Sequence, residues 1–218
     1  AHEIDVDIRW LETSVFEKDP SSIKKAMRGV DGIVVPGGFG KRGVEGKITC
    51  ARYAREKGIP YLGICLGFQV ALIEFARNVC GLKDAHTTEI ASGTKHPVVD
   101  ILPSQRDIEQ LGGNMRLGGR DVLVKEGTKA WELYRKRTSV RERFRHRYEC
   151  NPDYIKTFED RGIVFSGRAP YDEIMQILEI PHHPYFIATQ FHPEFTSRPL
   201  SPQPLFAGLV EAAKKRRR

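Results

Sequence analysis

The segment 59–69, reading IPYLGICLGFQ, constrains the fold more than any other part of the chain. Its apolar first half reads as a short strand, and the stretch from about residue 67 to 79 reads as a helix. Between them Cys65 stands with Gly63 two residues before it and Gly67 two residues after it. A side chain presented at a tight strand-to-helix turn needs small flanking residues, so that the backbone can bend and a substrate can approach. The G-x-C-x-G spacing therefore has the form of a nucleophile elbow with cysteine in place of serine. A buried structural cysteine between two glycines is the competing explanation, and the pattern alone does not separate the two. The helix that follows directs its N-terminal dipole at the thiol, which predicts a lowered pKa and a thiolate near neutral pH.

The same strand, loop, helix rhythm surrounds this segment. Residues 4–11 (IDVDIRWL) alternate as a strand should, and residues 20–30 (PSSIKKAMRGV) read as a short helix ending near Gly29. Ile33, Val34 and Val35 suit a buried strand that stops at Pro36 and Gly37, and a helix follows over about 45–57. Parallel strands with helices on both faces are the expected outcome. From about residue 98 the rhythm loosens into antiparallel strands and hairpins: GNMRLGGRDVLVKEG, RFRHRYECN, a helix and strand over PDYIKTFEDRGIVFSGRA, and two strands in MQILEIPHHPYFIATQF. The last helix falls on PLFAGLVEAAKK. The predicted fold is α/β: one domain over residues 1–218, a three-layer, doubly wound, mostly parallel sheet with helices on both faces and an antiparallel extension.

Composition narrows the function classes. The chain has 218 residues, enough for one substantial core, and its hydrophobic share of 40% contains no run approaching a membrane helix. Its opening residues are acidic and alternating rather than an apolar leader, which predicts a cytoplasmic location without membrane attachment. The cysteines Cys50, Cys65, Cys80 and Cys150 lack zinc-site spacing, and no metal site is expected. Part of the net charge of +7 sits in a basic tail at 214–218, which without aromatic interleaving or a reading helix predicts no nucleic-acid function.

An elbow cysteine needs a base and a place for negative charge. QFHPEF supplies His192 and Glu194 at the end of an apolar run, so that Glu194 is placed to hold the imidazole in its useful tautomer. A surface histidine paired to its neighbour is the alternative. In an elbow the N–H of the residue after the nucleophile, here Leu66, points at the developing oxyanion, and a second donor comes from a neighbouring strand-end loop. PGGFG offers Gly37 or Gly38; read otherwise, it is a mobile turn or a weak phosphate cradle without the G-K-[ST] ending. Together these features point to acyl transfer through a thioester.

GICLG with the later HPE resembles the class I glutamine amidotransferases, whose glutaminase domains split glutamine through a cysteinyl thioester and pass ammonia to a synthase partner. PGGFGKRGVEGK, YARE before IPYLGICLG, GGNMRLG, RHRYECNP and QFHPEFTSRPLSPQPLF together resemble the glutaminase domain of the CTP synthase family, across nearly the whole chain. Phe68 stands where that family usually has Met, and Cys150 where Val is common. The family domain also opens with a strand and helix before residues 4–11; their absence from this sequence is expected to leave the sheet without a central strand.

The resemblance implies a nucleophile at Cys65, a base at His192 and an orienting acid at Glu194, with oxyanion donors at Gly37 and Leu66. It places glutamine on Gly37, Gln69, Glu89, Arg147 and Tyr148, with Glu89 taking the α-amino group and Arg147 the α-carboxylate. Phe39, Lys41 and Arg42 match a lid loop that responds to GTP as an allosteric activator. It further implies that the domain needs no cofactor of its own. A longer protein would add an N-terminal synthase domain that uses ATP and Mg²⁺ to aminate UTP to CTP, and would assemble as a homotetramer. The alternatives are the glutaminase of another amidotransferase such as GMP synthase, a free-standing cysteine hydrolase of the same fold, and a non-catalytic binding or scaffold domain.

Overall fold

The computed structural model describes residues 4–102 and 115–217. In chain order these form α1 (Ser14–Lys18), a 3₁₀ turn (Pro20–Ser22), α2 (Ile23–Ala26), β1 (Ile33–Val35), α3 (Val44–Lys57), β2 (Tyr61–Ile64) and α4 (Leu66–Asn78). Then come β3 (Ala85–Thr87), β4 (His96–Asp100), β5 (Arg116–Val124), α5 (Lys129–Leu133), β6 (Ser139–His146) and β7 (Glu149–Cys150). The remainder is α6 (Ile155–Glu159), β8 (Val164–Arg168), β9 (Met175–Glu179), β10 (Phe186–Thr189) and α7 (Pro204–Arg216), with 3₁₀ turns before α6 and at Pro193–Phe195.

Seven strands make one sheet in the order β1-β2-β10-β9-β8-β5-β6. β2 lies between two parallel neighbours, β1 and β10, and every pairing beyond β10 is antiparallel. The parallel part thus carries the strand-to-helix elbow, and the antiparallel extension flanks it. Alternate residues of β2 and β10 feed two cores. Tyr61, Phe186 and Ala188 pack with α3 and α4, whereas Leu62, Ile64 and Ile187 pack with α5 and α7. The result is the expected three layers. Tyr61 and Phe186 stack at 4.4 Å between centroids, and burying rings of this size contributes about 1.5–3 kcal/mol each. The Tyr61 hydroxyl then donates to the Gly67 carbonyl at 2.9 Å, so that the core also pins the elbow.

Three expectations need correction. Residues 4–11 form no strand. Ile4, Val6, Ile8 and Trp10 stay 39%, 61%, 68% and 88% exposed, because a period-two pattern gains little until a neighbouring strand takes its N–H and C=O groups, and no described strand pairs beyond β1. For the same reason β1 is an edge strand buried on one face only: Ile33 and Val35 lie in the core, while Val34 is 44% exposed. The helix expected over 20–30 is shorter, a 3₁₀ turn and one α turn before Gly29 at φ +71°. A second sheet, β3-β4-β7, was not anticipated. The start of the expected GNMRLGG strand, residues 113 and 114, lies outside the described residues.

Candidate active site

Cys65 caps α4 with φ +53° and ψ −99°, a conformation that a side chain adopts only under constraint. Its N–H donates to the Thr189 carbonyl at 2.7 Å, which extends the β2–β10 ladder through the turn. The flanking glycines have a steric cause. A Cβ at Gly63 would meet the Gly67 carbonyl oxygen at 2.6 Å, and one at Gly67 would collide with the Val35 carbonyl oxygen. Only glycine at both places lets β1, β2 and α4 approach closely enough to present Cys65.

Gly37, at the end of β1, sits against two other expected site residues. A Cβ built there would come within 2.9 Å of His192 Cε1 and 3.4 Å of Cys65 Cβ. His192 follows β10 and is buried; its N–H donates to the Arg143 carbonyl at 2.9 Å. Its Nδ1 lies 2.6 Å from Glu194 Oε1, and its ring stacks on Phe195 at 5.0 Å. A carboxylate can only accept, so Nδ1 carries the proton and Nε2 keeps its lone pair. Nε2 makes no hydrogen bond among the described residues. Cys65, Gly37, His192 and Glu194 are thus brought together, and Leu66 follows the cysteine as the first residue of α4.

The thiol itself departs from expectation. Burial pushes Cys65 up to about 12; the Leu66 N–H opposes that push, while Glu194, Glu149 and Glu89 add to it. Desolvation of the charged form outweighs the helix end. The resting group is a thiol, its S–H directed at the Arg145 carbonyl at 3.9 Å, and attack requires a base.

Glu89, Arg147 and Tyr148 line a cavity of about 100 Å³ with Phe39 and Met115. Its Glu89 carboxylate accepts from the Gly40 N–H at 3.4 Å, which ties the PGGFG loop to the far wall. The cavity joins the elbow through Gln69, whose Nε2 donates to the Tyr148 carbonyl at 3.2 Å and to Gln190 Oε1 at 3.3 Å. Behind Arg147 and Tyr148 lies a buried ionic cluster. Glu149 Oε1 is 2.6 Å from Arg116 Nε and 2.8 Å from His146 Nε2. Burial pushes Glu149 up, yet His146 and Arg116 outweigh it and hold the carboxyl below its ordinary range. This cluster fixes the turn between β6 and β7 that carries Arg147.

The lid residues are less convergent. Phe39 is 61% exposed with the Arg145 guanidinium 5.9 Å from its ring centre, an arrangement for cation–π attraction. Arg42 is instead directed to Glu12, at 3.3 Å, and Lys41 is exposed. Two residues were missed by sequence reasoning. Arg145 stands in the RHRYECN stretch, and Gln190, beside the elbow sulfur, opens QFHPEF. Among the described residues no group of three or more His, Cys, Asp or Glu side chains is placed to hold a metal ion, and no helix is long and apolar enough to cross a membrane.

The family profile of "Glutamine amidotransferase class-I" matches residues 2–212. The chain is 58% identical over 216 residues to the CTP synthase of Pyrococcus abyssi, covering 99% of this chain and 40% of that protein. It is 52% identical over 213 residues to the CTP synthase of Bacillus subtilis, covering 98% and 39%. The chain therefore spans about 40% of the length of the curated relatives it matches. Among solved structures, the Trypanosoma brucei CTPS glutaminase domain with bound acivicin superposes with a TM-score of 0.92 at 38% identity, covering 98% of this chain and 82% of that one. A Thermoplasma acidophilum protein described as a GMP synthase component, at 17% identity and a TM-score of 0.58 over 98% of this chain and 93% of that one, shares the fold alone. By sequence and by structure, the chain belongs to the class I glutamine amidotransferases and, within them, to the glutaminase domains of CTP synthases.

Proposed function

We propose that this chain hydrolyses L-glutamine to glutamate and ammonia through a thioester on Cys65. The observation that carries the proposal is Cys65, held at positive φ, beside Gly37 and the His192–Glu194 pair. In the proposed cycle His192 Nε2 takes the thiol proton as sulfur attacks the side-chain amide carbon. The N–H groups of Gly37 and Leu66 receive the oxyanion. As the intermediate collapses, the C–N bond breaks and the imidazolium protonates the leaving nitrogen, releasing ammonia. A water then gives its proton to His192 and attacks the thioester, releasing glutamate and restoring the thiol. Glu194 keeps the imidazole in the tautomer that both half-reactions need.

Glutamine itself is proposed to lie in the cavity between Glu89 and Arg147, its α-ammonium on the former and its α-carboxylate on the latter. A guanidinium is suited to that carboxylate because the pair can be bidentate. Tyr148, Gln69 and Gly37 would complete the contact. Glutamate release that disappears in Cys65→Ala is the expected result; turnover retained in that variant would remove the thioester route.

The likeness to CTP synthases extends the proposal to a longer protein in which residues 1–218 form the C-terminal domain. There the ammonia would pass to an N-terminal synthase domain that uses ATP and Mg²⁺ to aminate UTP, in a cytoplasmic homotetramer. GTP activation is assigned to the loop bearing Phe39, Lys41 and Arg42, supported by the exposed aromatic face of Phe39. GTP stimulation unchanged by Phe39→Ala would overturn that assignment.

A further inference from the structure

Gln190 follows β10 and is fully buried. Its backbone is fixed by donation to the Gln176 carbonyl at 3.0 Å, and its side-chain Nε2 lies 3.7 Å from Cys65 Sγ. Which end of that amide faces sulfur follows from the chain of bonds behind it. The Tyr148 carbonyl can only accept, so Gln69 must present its NH₂ group there. The second hydrogen of that NH₂ goes to Gln190 Oε1. With its oxygen so occupied, Gln190 has only NH₂ left to turn toward Cys65. A peptide carbonyl two amides away thus dictates that a donor faces the sulfur.

That donor has a use in this surrounding. His192, Glu194, Glu149 and Glu89 are the titratable groups near Cys65, from the segment after β10, from β7 and from the loop after β3, and the three carboxylates all disfavour a thiolate. Against them stand the Leu66 N–H and Gln190. With the Leu66 N–H engaged by the oxyanion, Gln190 is the donor that stays on sulfur.

We propose that Gln190 is a further catalytic residue, whose side-chain amide donates a hydrogen bond to the Cys65 sulfur and holds it as the thiolate that attacks and later leaves. The proposal rests on Cys65 being the nucleophile. It predicts that removing the donor lowers the thiolate population, so that kcat falls by a larger factor than the glutamine KM rises.

The test is the rate of Cys65 alkylation by iodoacetamide between about pH 7 and 9, read on the peptide that carries Cys65, with half-buried Cys80 as the internal control. Gln190→Met removes the donor, and Gln190→Glu keeps its shape but puts an acceptor there, standing in should the Met variant not fold. About tenfold less thiolate, partly offset by its greater intrinsic nucleophilicity, predicts roughly 3- to 4-fold slower alkylation of Cys65 and an unchanged rate at Cys80. Equal or faster alkylation of Cys65 in a folded variant would overturn the proposal. Glutamate release by Cys65→Ala tests the nucleophile separately: if it persists, the thioester route fails, while the alkylation series still reports whether Gln190 bonds the sulfur.

Discussion

Cys65 and Cys50 are both buried thiols, and burial pushes each up to about 12. Cys50 sits inside α3 with ordinary helical surroundings, only Lys47 pulling the other way. Cys65 stands at positive φ with the Gln190 amide donating to its sulfur, and Gly37 packs against both it and His192, whose Nδ1 is held by Glu194. Resting acidity therefore does not distinguish a chemical cysteine from a structural one in this molecule. The distinction lies in the backbone that presents the thiol and in the groups arranged to receive its proton and its charge.

Changes at the two cysteines should separate that account most sharply. Cys65→Ala is expected to abolish glutamate release, whereas Cys50→Ala should cost about 1–2 kcal/mol of stability and leave turnover near normal; thermal melts and a glutamate assay read both. Next come the partners that Cys50 lacks. Replacing His192 with Ala should lower kcat on the order of 10⁶-fold, and Glu194→Gln roughly 10⁴-fold because it disturbs only the tautomer. Equal losses would mean that Glu194 does more than orient. Arg147→Met should act elsewhere, raising the glutamine KM about 10²-fold with a smaller change in kcat. An unaltered KM would take Arg147 out of the substrate cavity.

The smallest effect concerns how the two cysteine-bearing helices are tied. Glu45 on α3 pairs with Arg77 on α4 at 2.7 Å and lies 3.4 Å from His86. The hydrogen bond to His86 first, then Arg77, lower its carboxyl to about 2 against the cost of partial burial. A depressed folded value means that the stabilisation is present above the ordinary carboxylate range, near pH 4.5, and is lost as pH falls toward 2. The Glu45 side chain is 51% exposed, so after screening the contribution is on the order of 1 kcal/mol. Glu45→Gln should flatten this part of the acid denaturation curve, and an identical curve would show that the helices are held by packing alone.

What could be read from the sequence was whatever local sterics impose. Gly63 and Gly67 announce the elbow because no larger residue fits the approach of α4 to β1 and β2, and α3, α4 and α7 follow from apolar spacing and their end signals. Residues 4–11 misled because alternation describes a strand's faces but not whether a partner lies beside it. The sheet β3-β4-β7 escaped notice because its strands are short and Pro97 interrupts one of them. The thiol's acidity was misjudged for a related reason: the helix dipole is visible in the sequence, whereas desolvation depends on everything that packs around the sulfur. Gln190 stands in plain view at the start of QFHPEF, yet its role depends on Gln69 and the Tyr148 carbonyl, which only the fold brings near.

The most direct test of the central claim is to quench the protein in acid during turnover of radiolabelled glutamine and map the label. The account predicts an alkali-labile glutamyl label on the peptide that carries Cys65, absent in Cys65→Ala. Glutamate release without any label on that peptide, or with label on another cysteine, would contradict it.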